Sequence, residues 1–149
     1  MGRTDASPVF VDTNVLVYAS LARAPLNAAA KEALRRLGEQ ATPLWISRQV
    51  LREFLAVMTR TGELADQLPP EALLELVRYL EAHFLIAEDG AAVTAWLLEL
   101  MGRFQVRGKQ VHDVNVVATM LAHGIPQILT HNVGDFARYS ELVAVLPLA

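Results

Sequence analysis

The stretch Val9-Phe10-Val11-Asp12-Thr13-Asn14-Val15-Leu16 decides the fold. Three consecutive apolar residues read as a strand covered on both faces, as in the parallel sheet of an α/β domain. Asp12 ends that strand, and a helical pattern begins at about Asn14. The acid therefore falls at the carboxyl end of a parallel strand, where ligands bind in open α/β sheets.

Outward from this corner, β-type runs alternate with longer helical patterns. A helix is expected from Asn27, as N-cap, to Gly38, as stop. Leu44-Trp45-Ile46 reads as a second strand, with Ser47 capping a helix that runs to about Arg60. Pro69-Pro70 opens a helix ending near Ala82, Phe84-Leu85-Ile86 reads as a third strand, and a helix spans about Ala91 to Gly102. The polar Arg107-Gly108-Lys109-Gln110 leads to a helix from His112 to His123, apolar nearly all round and closed at Gly124, which predicts burial. Ile128-Leu129-Thr130 and Leu142-Val143-Ala144-Val145 read as the last two strands. No repeat, low-complexity tract or linker interrupts the pattern. It predicts one α/β domain over residues 1–149, with a mostly parallel sheet.

The chain has 149 residues, 53% of them hydrophobic, enough to bury one core and too many for a disordered segment. It has no cysteine, which excludes disulfides, thiolate-held zinc, iron–sulfur clusters and thiol catalysis. A membrane span needs about 20 mostly apolar residues, and Asp12, Arg52, Arg78, Glu99 and Asp113 break every apolar stretch early. Pro8-Val9-Phe10-Val11 is too short for a signal-peptide core, so a soluble, cytoplasmic protein is expected. The net charge of −3 argues against whole-surface attraction to nucleic acid.

Four acids stand where chemistry could sit. Asp12 ends the first strand, Asp113 opens the buried helix, Asp135 follows the fourth strand, and Glu53 borders the apolar stripe of the helix after the second strand. Taken singly, each Asp could merely cap a helix and Glu53 could be a solvated rim residue paired with Arg52 or Arg60. Taken together, right-handed crossovers bring the strand ends to one edge of the sheet, where the four acids converge. Carboxylates sharing a cleft repel one another unless a cation neutralises them. An all-oxygen set suits a hard ion, Mg²⁺ or Mn²⁺, which is standard equipment for phosphodiester hydrolysis. Removing four negative charges from −3 leaves +1, so the acidic balance is a weak argument against an RNA or DNA substrate.

At these residues the chain resembles the PIN-domain nucleases. Val9-Phe10-Val11-Asp12-Thr13-Asn14-Val15-Leu16 is similar to their first motif, and Glu53 to their second acid. His112-Asp113-Val114-Asn115-Val116-Val117-Ala118 matches the third motif, and Thr130-His131-Asn132-Val133-Gly134-Asp135-Phe136 the fourth. The resemblance spans Val9 to Phe136 in the expected order and is greatest to VapC toxins of VapBC toxin–antitoxin pairs. It implies a PIN-like three-layer sandwich of about five strands, and a Mg²⁺-dependent endoribonuclease. Asp12 and Asp113 would be the principal metal ligands, Glu53 would bind the metal or a water on it, and Asp135 would complete the pocket. Many PIN domains carry an acid where Asn132 stands, which leaves the fourth position between Asn132 and Asp135. Thr13, Asn14, Thr130 and Asn132 would orient the carboxylates. The resemblance also implies an RNA substrate, a homodimer, and a VapB-type antitoxin whose tail occupies the cleft.

Around the acids, Arg48, Arg52 and Arg60 recur on one helix and Arg103, Arg107 and Lys109 precede Asp113. They read either as a phosphate-tracking rim or as solvated faces. Of these, Arg48, Arg52, Arg107 and Lys109 are the candidate substrate contacts. His112 reads as a helix-start residue, His131 as a cleft-lining one, and His83 and His123 as helix C-terminal residues. Tyr18, Trp45, Tyr79 and Trp96 read as core or dimer contacts rather than base-stacking platforms. Within the family, the alternatives are an RNA-processing nuclease outside a toxin–antitoxin pair and a non-catalytic interaction domain. A phosphatase or receiver-like protein using Asp12 fits poorly: Asn14 breaks the required Asp-x-Asp pair, and Lys31 and Lys109 are the only lysines.

Overall fold

The structure, a computed structural model, describes residues 6–60 and 68–148. Its sheet has five strands, all parallel, in the order β3-β2-β1-β4-β5. These are β1 (Val9–Val11), β2 (Leu44–Ser47), β3 (Leu85–Ala87), β4 (Gln127–Thr130) and β5 (Ala144–Pro147). Seven helices occur among the described residues: α1 (Thr13–Ser20), α2 (Asn27–Glu39), α3 (Arg48–Met58), α4 (Pro70–His83), α5 (Ala91–Arg103), α6 (Gln110–His123) and α7 (Val133–Phe136). No helix among them is long and apolar enough to cross a membrane.

β1 occupies the centre, and Val9, Phe10 and Val11 are all 0% exposed. Successive strand residues point to opposite faces, so both faces of β1 are covered. α1 packs on α2 and α3, while α5 packs on α6. The expected three-layer arrangement is thus the observed one. The chain winds from β1 outward to β3, then returns to β4 on the other side of β1. This makes the gap between β1 and β4 the topological switch point, where a crevice opens beyond the strand ends.

Several expected boundaries shift, each for a local reason. Asn27 is not the N-cap of α2; Leu26 is, and the Asn27 amide instead donates to Tyr18 O at 2.8 Å and Ala19 O at 3.3 Å. It thereby supplies a donor to Ala19 O and a second one to Tyr18 O, which Leu21 N reaches only at 3.4 Å. Gly38 does not stop α2, which runs to Glu39; Ala41 takes the left-handed turn instead, at φ 56°. β5 starts at Ala144 rather than Leu142, because Leu142 and Val143 close a turn through their amides onto Tyr139 O. α6 begins two residues earlier than expected, at Gln110, after Gly108 has turned the chain at φ 54°. Ser47 caps α3 and Gly124 closes α6 in the left-handed conformation, both as expected. α7 is an element that the sequence pattern did not announce.

Candidate active site

Asp12 lies where β1 ends. Its backbone N–H donates to Leu129 O at 3.0 Å, which ties the β1 corner to β4. Its side chain is 8% exposed and meets three donors. Oδ1 accepts from Thr13 N at 2.8 Å, while Oδ2 accepts from Thr130 Oγ1 at 2.8 Å and from Asn14 Nδ2 at 3.1 Å. Asp12 also caps α1, so the helix-capping role and a catalytic one coexist in one residue. Burial raises its pKa above the usual aspartate value, Glu53 adds to that, and the three hydrogen bonds oppose it.

Thr130 is 0% exposed and organises the switch point. Besides donating to Asp12, its hydroxyl accepts from Asn14 Nδ2 at 3.3 Å and from Asn132 N at 3.0 Å. The Asn14 side-chain oxygen Oδ1 accepts from His131 N at 3.0 Å. Asn14 and Thr130 thus bind the start of α1 to the loop after β4, and both touch the Asp12 carboxylate.

Glu53 reaches the same crevice from α3. Oε1 accepts from Thr13 Oγ1 at 3.0 Å and Oε2 from Gln49 Nε2 at 3.0 Å. Neither Arg52 nor Arg60 pairs with it among the described residues. Gln49 sits one turn before Glu53, is 7% exposed, and also donates to His112 O at 3.0 Å. Its own carbonyl accepts from Asn115 Nδ2 at 2.8 Å. Sequence reasoning missed Gln49 and Asn115. The available signal for Gln49 was its spacing, four residues before Glu53 on one helix face, whereas Asn115, two after Asp113, is off that acid's face and joins the site only through Gln49.

Asp113 is half-buried in the first turn of α6. Its pKa is pushed up to about 6, first by burial and then by the like charges of Asp135, Asp12 and Glu53. Asp12, Glu53, Asp113 and Asn132 line one cleft of about 480 Å³, together with Thr13, Asn14, Val17, Tyr18, Ala56, Val57 and Arg60. Asp135 does not line it. It is exposed on α7 and borders a smaller hollow of about 110 Å³ with Gln110, Asp113, Gly134, Arg138 and Tyr139. Asp113 is the wall between the two. The structure therefore gathers three of the four expected acids in the main cleft and puts Asp135 behind Asp113.

This donor set fits a hard divalent cation in chemistry: all oxygen, crowded with negative charge, one carboxylate buried. Among the described residues, however, no three acidic or histidine side chains close a ready-made coordination shell.

Residues 9–142 match the PIN domain family model. The chain belongs to the PIN-domain family. Its relatives include the ribonuclease VapC48 of Mycobacterium tuberculosis, 27% identical over 133 residues that cover 88% of this chain and 91% of that protein. The fold is similar to that of VapBC2 from Rickettsia felis, solved bound to a DNA fragment from their promoter. That match has TM-score 0.69 at 19% identity and covers 93% of this chain and 97% of the other. It is also similar to Mycobacterium tuberculosis VapC20, a sarcin–ricin loop cleaving toxin, with TM-score 0.64 at 19% identity over 87% and 94% of the two chains.

The basic residues of this PIN domain divide unexpectedly. Arg48, expected on a phosphate rim, instead pairs with Glu81 and with Glu88, the latter at 2.9 Å, and lines neither hollow. Arg52, Arg107 and Lys109 are exposed and also lie outside both linings. Arg60 and Arg138, one in each hollow, are the arginines beside the acids. Arg138 donates to Gln105 O at 2.7 Å and lies over the Phe104 and Tyr139 rings. His131 packs edge-on against Tyr18 at 5.7 Å, and Tyr18, expected as a core or dimer residue, lines the cleft.

Proposed function

We propose that this PIN domain is a Mg²⁺-dependent endoribonuclease of the VapC toxin type, with Mn²⁺ as an alternative ion. The observation that carries this reading is the meeting of Asp12, Glu53 and Asp113 in one cleft at the β1–β4 switch point. The ribonuclease relative and the toxin-type structural neighbours support it.

Asp12 and Asp113 would hold the ion, with Glu53 supplying a further oxygen to it or to a water on it. A divalent cation held there would supply a water of lowered pKa and positive charge against the scissile phosphate. The protein's own contribution is preorganisation. Thr130, Thr13 and Asn14 fix the Asp12 carboxylate, and Thr13 and Gln49 fix that of Glu53. Held oxygens need no reordering as the substrate arrives. Asp135, behind Asp113, acts on the site through its charge and raises the Asp113 pKa. Asn132 contributes at the cleft wall.

The same reading makes the partner a VapB-type antitoxin, as VapBC pairs recur among the structural neighbours. It also makes the working form a cytoplasmic homodimer, for which exposed Trp96, Leu98 and Met101 on α5 offer apolar surface. The test is direct. Purified protein cleaves single-stranded RNA with Mg²⁺ and stops in EDTA, and Asp12→Asn abolishes cleavage. An Asp12→Asn protein as active as wild type overturns the mechanism.

A further inference from the structure

The cleft is larger than the carboxylates need. At about 480 Å³ it falls in the range of sites that enclose a whole small molecule. Its lining is graded along two helices. On α1, Thr13 and Asn14 precede Val17 and Tyr18 by four residues; on α3, Glu53 precedes Ala56 and Val57 by three and four, and Arg60 follows just past the helix end. Residues so spaced share a helix face, so both walls pass together from acid and amide to apolar. One helical turn, about 5.4 Å, separates the two zones.

We propose that this apolar arm, walled by Val17, Tyr18 and Val57 with Arg60 on its rim, is a nucleobase subsite. It seats one unpaired base of the nucleic-acid strand beside the scissile phosphate. The proposal rests on the nuclease reading and names what that cleft recognises.

The chemistry matches on each wall. Val17 is 5% exposed and Val57 half-buried, so they form a dry floor rather than a mobile surface. Tyr18 is half-buried and braced edge-on by His131, whose ring plane stands at 78° to it. The backbone N–H of His131 donates to Asn14 Oδ1, and Asn14 also holds Asp12. The residue that braces the aromatic ring is therefore tied through its backbone to the network that positions the carboxylate. An aromatic face accepts any base by stacking, and an arginine beside it meets a neighbouring phosphate or the base plane. Duplex bases are already stacked, so the subsite selects single-stranded segments.

The experiment uses a fluorescent six-nucleotide RNA and versions with one abasic ribose at each position. Their affinities for the intact protein are read by anisotropy in Ca²⁺ and again in EDTA. One abasic position weakens binding to wild type by about tenfold, the size of one lost stacking contact. Tyr18→Phe, which keeps the ring, retains that penalty, whereas Tyr18→Ala loses it while its melting temperature stays near wild type. A penalty at no position, or one that persists in Tyr18→Ala, overturns the subsite. Cleavage of the same hexamer in Mg²⁺ is scored separately. Position-specific binding without cleavage overturns the nuclease reading and leaves the subsite standing; cleavage without a Tyr18-dependent penalty does the reverse. Failure to bind any hexamer overturns both.

Discussion

Asp12 and Asp113 face the same cleft and are held in opposite ways. Asp12 is nearly closed off from water and meets three donors from Thr13, Asn14 and Thr130. No donor among the described residues holds the Asp113 side chain, which is surrounded instead by the negative charges of Asp135, Asp12 and Glu53. The protein stabilises one carboxylate itself and leaves the other among like charges, which a cation would neutralise on the proposed nuclease reading. The contrast divides the labour: Asp12 belongs to the scaffold as well as the cleft, whereas Asp113, under the proposed function, would be held for the ion at a cost to the metal-free fold.

The largest expected effect does not separate the two. Asp12→Asn and Asp113→Asn should each lower cleavage of RNA at saturating Mg²⁺ by about a hundredfold or more, the scale of losing a metal's charge stabilisation. Stability of the metal-free protein separates them. Asp12→Ala removes a helix cap and strands three donors, so unfolding in denaturant should show a loss of about 1–2 kcal/mol. Asp113→Asn should raise stability at pH 7.5. The Asp113 carboxyl titrates at about 6 in the fold, against 3.8 ordinarily, with His112 the one neighbour opposing the shift. A carboxyl that resists ionisation in the fold favours folding at low pH, and that benefit is lost as pH rises from 3.8 to about 6. The variant's advantage should therefore appear across that window and vanish below it. An advantage that is constant with pH would break the comparison.

The corner that fixes Asp12 was legible in the sequence because it is local. An apolar triplet ending in Asp-Thr-Asn specifies strand, cap and helix within eight residues, and Ser47 and Gly124 mark helix ends just as locally. What the sequence did not reveal depends on contacts between distant segments. Gln49 meets Asn115 across 66 positions, and Asn27 looked like a cap for its own helix until the end of α1 came near enough to use its amide. Tyr18 is apolar in its sequence neighbourhood, and only the approach of α3 turns its face into a cleft wall. Asp135 was expected beside the other acids; on the short α7 it neighbours Asp113 and shares a second hollow with it, without lining the main cleft.

Gln49 gives the next, smaller effect. One amide side chain joins Glu53, Asn115 and the His112 carbonyl, linking α3 to the turn that bears Asp113. Gln49→Leu keeps the volume and removes every hydrogen bond. Metal affinity, followed by Mn²⁺ paramagnetic resonance, should fall about tenfold or more, as when an orienting neighbour of a ligand is lost. Gln49→Glu should not rescue it, because a fourth carboxylate beside Glu53 adds repulsion and cannot donate. Unchanged Mn²⁺ affinity in Gln49→Leu would leave Glu53 positioned by Thr13 alone.

The smallest effect sharpens the comparison by its absence. Arg48 lies five residues before Glu53 on α3, and sequence spacing alone made it a candidate phosphate contact. Its guanidinium joins Glu81 of α4 and Glu88 after β3, side chains that are half or more exposed. Exposed pairs contribute little to stability, and charges already matched add little to the field that a phosphate meets. Arg48→Ala should therefore leave RNA affinity within about twofold and the melting temperature within about 3 °C of wild type. Arg60→Ala should weaken RNA binding several-fold and flatten its salt dependence, as one lost phosphate contact does. If Arg48→Ala weakened binding as much as Arg60→Ala, the strand would have to cross the α3–α4 side of the molecule, and the cleft between α1 and α3 would be only part of its path.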